Sequence, residues 1–99
     1  MIDPTTTANA NANEAAALIR TTCAELAELL VRKNRAYGNS ALEPVRIFSR
    51  APTDEQIRVR IDDKLSRLAR GAADGEDVEL DLLGYLILLR VHRALAGGR

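Results

Sequence analysis

The sequence predicts an all-α protein: a small helical bundle of three main helices plus one short helix, completed by oligomerisation. Three observations predict it. Apolar residues recur at three- and four-residue spacing over long stretches, which gives each helix an apolar stripe. Capping-type tetrapeptides and glycines sit at the ends of those stretches. The last stretch is apolar on nearly every side, more than two neighbours in a 99-residue chain can cover.

Taken in order, residues 1–13 (MIDPTTTANANAN) hold almost no bulky apolar group. They bury too little surface to offset ordering entropy, so a disordered leader is predicted ahead of a single helical domain over 14–99. The first helix runs from about Glu14 to Ala36 on a stripe of Leu18, Ile19, Cys23, Leu26, Leu29 and Leu30, and Gly38 ends it. Ser40 to Glu43 has a capping-box pattern that predicts a short helix to about Phe48, with Pro44 in its first turn and Ala51-Pro52 breaking it. Thr53 to Gln56 is a second capping box and opens a helix to about Arg70, with a buried stripe of Ile57, Ile61, Leu65 and Leu68. Gly71 to Gly75 make the turn. The last helix starts near Glu76 or Asp77, whose carboxylates suit a helix N-terminus, and Gly97-Gly98 stop it after about Ala96.

That last helix carries Leu80, Leu82, Leu83, Leu86, Ile87, Leu88, Leu89 and Val91. A helix so apolar all round is buried all round, so self-association through it, most simply as a dimer, is predicted.

Composition excludes several classes. The chain is 46% hydrophobic with three aromatic residues, Tyr37, Phe48 and Tyr85, so its core is aliphatic. Formal charge is zero, which argues against general duplex-DNA binding. The neutral total hides a dipolar layout. Residues 1–31 carry one Arg against four acids, residues 32–70 ten Lys/Arg against five acids, and residues 71–99 three Arg against five acids. A basic middle between acidic ends suits a small anionic ligand, or equally helix-to-helix charge matching. The single cysteine, Cys23, allows no internal disulfide and is placed in the core. No apolar run of membrane length and no signal peptide is evident, so a cytoplasmic protein is expected, without a membrane partner.

Three polar motifs interrupt the apolar pattern. On the second helix, Arg60, Asp63 and Arg67 stand at i, i+3 and i+7, with Lys64 one turn beyond Arg60. They fit a phosphate-binding comb, since Arg forks match phosphate oxygens and Lys adds a point charge. The plain alternative is a solvated salt-bridge ladder. On the last helix, Asp77 and Asp81 are one turn apart and Tyr85 another turn along. The two carboxylates, with Glu25 and Glu28 of the first helix, have the chemistry of a magnesium site. Alternatively Asp77 caps its helix and Asp81 pairs with an Arg of the second helix. At the first helix end, Asn34 can read a base edge or ribose, Tyr37 can stack on a base, and Gly38 admits a close backbone approach, beside Lys33. Here the alternative is a plain helix C-cap. His92 has no second His near it, so metal ligation by it is not expected.

With these residues in view, the chain resembles the nucleotide modification associated domain 1 family, small all-α proteins common in bacteriophage genomes. The resemblance rests on Lys33, Asn34, Tyr37 and Gly38, then Arg60, Asp63, Lys64 and Arg67, then Asp77, Asp81 and Tyr85, over residues 18–94. It implies a role in phage nucleotide metabolism, in the cytoplasm of a bacterial host, and a distant kinship with MazG-like nucleotide pyrophosphohydrolases. Those enzymes carry a Glu-Glu-x-x-Glu and Glu-x-x-Asp magnesium signature. This chain departs from it, because Glu25 and Glu28 lack the adjacent first Glu and Asp77 and Asp81 have a different spacing.

Three functions are therefore expected in order. The first is binding of a phosphorylated nucleotide, with possible magnesium-dependent pyrophosphate hydrolysis. The second is non-catalytic sequestration of a nucleotide or cyclic nucleotide immune signal at an oligomer interface, an anti-defence role. The third is a structural helical protein whose charges are merely solvated.

Overall fold

The computed structural model describes residues 4–71 and 75–97, with side chains described from residue 8 onward. The chain is all-α, as predicted: α1 (Pro4–Ala36), α2 (Thr53–Arg70) and α3 (Val78–Leu95), with no strand among the described residues. It divides into two compact units, residues up to Val31 and residues from Arg32 onward.

The first unit is helix throughout its described length. α1 begins at Pro4, ten residues before the expected start, so Pro4–Asn13, expected as a leader, is helical. Pro4 tolerates this position because a first-turn N–H has no intrahelical acceptor to lose. Only Met1, Ile2 and Asp3 of that leader lie outside the described residues. The extension adds no core: residues 8–13 are all exposed. The apolar stripe is only partly covered. Leu26, Leu29 and Leu30 are half-buried, while Leu18, Ile19 and Cys23 are exposed, so Cys23 is not the core residue the stripe predicted.

The second unit starts with the last turn of α1, whose end was legible to the residue. The Gly38 N–H donates to the Arg35 carbonyl (3.1 Å) and the Asn39 N–H to the Asn34 carbonyl (2.9 Å). This crossed pair is a Schellman cap, and it requires the left-handed φ of +63° that Gly38 supplies.

The short helix does not form. Residues 37–42 are turns and the chain reaches Pro52 without a helical turn. Leu42 and Glu43 both donate their N–H to the Asn39 carbonyl, Pro44 has no N–H to give, and Arg46 turns left-handed (φ 57°). The Arg46 guanidinium instead closes the loop on α2, donating to the Ala51 carbonyl (3.4 Å) and to Thr53 Oγ1 (2.6 Å). That contact also undoes the second predicted capping box. Thr53 is buried as the first helical residue, Pro52 holds the N-cap position without a side-chain cap, and Gln56 Nε2 donates to the Ala51 carbonyl (2.9 Å).

α2 and α3 pack together as a helical hairpin. Their cross-links run in opposite chain order (Arg67 to Glu76, Lys64 to Asp81, Arg60 to Tyr85), so the two helices are antiparallel. In this hairpin Ile57 of α2 (1% exposed) and Val78, Gly84 and Leu88 of α3 are buried. The predicted stripe of α2 is covered only at Ile57 and partly at Ile61, while Leu65 and Leu68 are exposed. α3 is likewise uncovered at Leu83, Leu86, Ile87 and Val91. Residues 72–74 of the predicted Gly71–Gly75 turn and Gly98 of the stop signal lie outside the described residues. No described helix is long and apolar enough to cross a membrane.

Candidate functional site

The α3 N-terminus is the hinge of the polar chemistry. Asp77 is its N-cap, with Oδ1 accepting from the Leu80 N–H at 2.9 Å. This fixes where α3 starts, and so places Glu76 just before the helix and Asp81 one turn inside it, both toward α2.

The three sequence motifs meet at Asp81. Its Oδ1 faces Lys33 Nζ at 3.5 Å and its Oδ2 faces Lys64 Nζ at 3.2 Å. Lys33 comes from the first motif, Lys64 from the second and Asp81 from the third, and they are separated by 31 and 17 positions in sequence. Glu76 extends the network, with Oε1 at 3.6 Å from Lys64 Nζ and accepting from Arg67 Nη1 at 2.6 Å. Arg67 Nε also reaches Asp63 Oδ2 at 3.4 Å. The hydrogen bond to Glu76, and then the charges of Glu76 and Asp63, hold the Arg67 guanidinium above its ordinary pKa.

One turn further along, Arg60 sits over the Tyr85 ring with its guanidinium carbon 5.9 Å from the centroid, within cation–π range. Arg60 joins no ion pair among the described residues. Among the described residues the cluster brings together four cations (Lys33, Arg60, Lys64, Arg67) and the carboxylates of Asp63, Glu76 and Asp81, with Asp77 beside them at the N-cap. Exposure divides the labour. The Lys64 side chain is 14% exposed and ties α2 to α3, whereas Lys33 and Arg67, at 45% and 44%, remain open to solvent.

The remaining predicted residues fall into two groups. Tyr37 is 70% exposed at the turn after α1. Asn34 is occupied, since its Nδ2 donates to Asn39 Oδ1 at 2.8 Å, and Gly38 serves the helix cap. Of the carboxylates proposed for a metal, Glu25 and Glu28 lie exposed in the first unit, and Asp77 and Asp81 are engaged in the second. Among the described residues no group of three or more His, Cys, Asp and Glu is placed to hold a metal ion.

Glu76 is the residue the motifs missed. Its signal was present: an acid directly before an Asp N-cap, opposite the basic end of α2. Asn39, a residue type at home in the left-handed region, had a local signal beside Gly38, whereas the Arg46 contact with Ala51 and Thr53 is set by the loop path and leaves none.

No family model, no curated protein and no solved structure matches this chain.

Proposed function

We propose that the chain binds a phosphorylated nucleotide at the charged face of the α2–α3 hairpin, and that it does so as a homo-oligomer. The observation that carries this function is the meeting of Lys33, Lys64 and Asp81 from three separate motifs, with Arg67 and Arg60 on the same side of α2. Phosphate oxygens take the place of carboxylate oxygens on Lys33 and Arg67, which are half open to solvent, while Lys64 keeps the hairpin closed. The exposed Tyr37 and the ring of Tyr85 under Arg60 are the two surfaces for a base.

The state of Asp81 favours binding over hydrolysis. Both of its oxygens face ammonium groups, so a magnesium ion there has first to displace two lysines. Sequestration of a nucleotide signal, the second of the expected functions, therefore stands ahead of the MazG-like pyrophosphohydrolysis that the resemblance implies.

Thermal-shift measurements with ATP, GTP, CTP, TTP and a cyclic dinucleotide test this, run with magnesium and with EDTA and followed by chromatography of the recovered ligand. A shift that survives EDTA, with the ligand recovered intact, is the expected result. Turnover that needs magnesium would make the protein an enzyme instead. No shift with any member of the panel would leave the cluster a purely structural network.

A further inference from the structure

α3 carries a second stripe, on the side away from α2. The α2-facing residues Val78, Asp81, Tyr85 and Leu88 follow one helical row. Glu79, Leu83, Leu86 and Arg90 follow another, at spacings of four, three and four, the seam of a coiled-coil contact. All four are exposed, Leu83 at 42% and Leu86 at 44%. Neither Glu79 nor Arg90 joins an ion pair among the described residues.

The order of residue types along this row is self-complementary: an acid at one end, two leucines in the middle, a base at the other end. Such a row matches itself only when two copies run antiparallel about a two-fold axis. Leu83 of one copy then lies opposite Leu86 of the other, and Glu79 opposite Arg90, each twice by symmetry. A parallel pairing sets Glu79 on Glu79 and Arg90 on Arg90, which repels at both ends.

We infer that the occupant of this face is a second copy of the chain, bound antiparallel through α3 with paired Glu79–Arg90 contacts. The inference rests on the self-association just proposed and is independent of the nucleotide site, whose residues lie on the α2-facing row. It also explains why α3 is apolar on more faces than α2 alone covers.

Sedimentation equilibrium without nucleotide tests it, on the native chain, Glu79→Arg, Arg90→Glu, an equimolar mixture of the two, and the chain carrying both changes. Circular dichroism confirms that each is folded. The native chain is expected to dimerise, each single variant to dissociate roughly tenfold more readily, and both the mixture and the double variant to recover. Recovery in the mixture requires the pairing to be between chains. A native chain that stays monomeric overturns self-association altogether. A native dimer indifferent to both single changes, or a mixture without recovery, overturns this register while leaving self-association and nucleotide binding standing.

Discussion

Lys64 ties the two helices of the hairpin together. It is a cation held nearly out of solvent between Glu76 and Asp81, linking the last turns of α2 to the first turn of α3. Its loss removes one cation from each carboxylate, while Arg67 stays on Glu76 and Lys33 on Asp81. Lys64→Met, which keeps most of the apolar stem, should lower the unfolding free energy by about 1–3 kcal/mol in urea titrations. An unchanged midpoint would mean that the hairpin does not depend on the bridge. Spacing alone grouped Lys64 with Arg60 and Arg67 as equals. Only packing against α3 separates them, because burial is set by the partner helix and not by the row a residue occupies.

At the scale of elements, the sequence was most legible where backbone chemistry is decisive. Gly38 marked the end of α1 because a left-handed C′ position is nearly a glycine monopoly, and Asp77 marked the start of α3 because its carboxylate finds an N–H three residues on. Gly38→Ala keeps that cap only by forcing alanine to φ near +63°, at a cost of about 1–2 kcal/mol. A drop of several degrees in thermal midpoint is expected, without loss of helix content. Legibility failed in the segment between Ser40 and Thr53. Two capping-box patterns stood there, and a single long-range group, the Arg46 guanidinium, took the Thr53 hydroxyl and the Ala51 carbonyl for loop closure. A tetrapeptide pattern cannot register a competitor seven residues away. The start of α1 failed for the opposite reason, since a segment without apolar surface gives no periodic signal even where it is helical.

For the whole molecule, the decisive imbalance is between apolar content and burial. Nearly half the residues are hydrophobic, yet Ile57, Val78 and Leu88 are the buried hydrophobic side chains among the described residues. The apolarity of α3 was visible in the sequence, and Leu83, Leu86, Ile87 and Val91 are indeed left exposed. The convergence of the motifs was not visible there, because it depends on the antiparallel register of α2 on α3, and register is a property of the packed pair. That convergence is the ground for ligand binding, so the most direct test acts on the open cations and leaves Lys64 in place. Calorimetric titration with ATP in EDTA, on the native chain and on Lys33→Gln/Arg67→Gln, makes the comparison. Saturable binding to the native chain, weakened roughly tenfold or more in the double variant at unchanged helix content, is the predicted result. Equal binding by the two proteins would contradict the assignment of this cluster as the phosphate site.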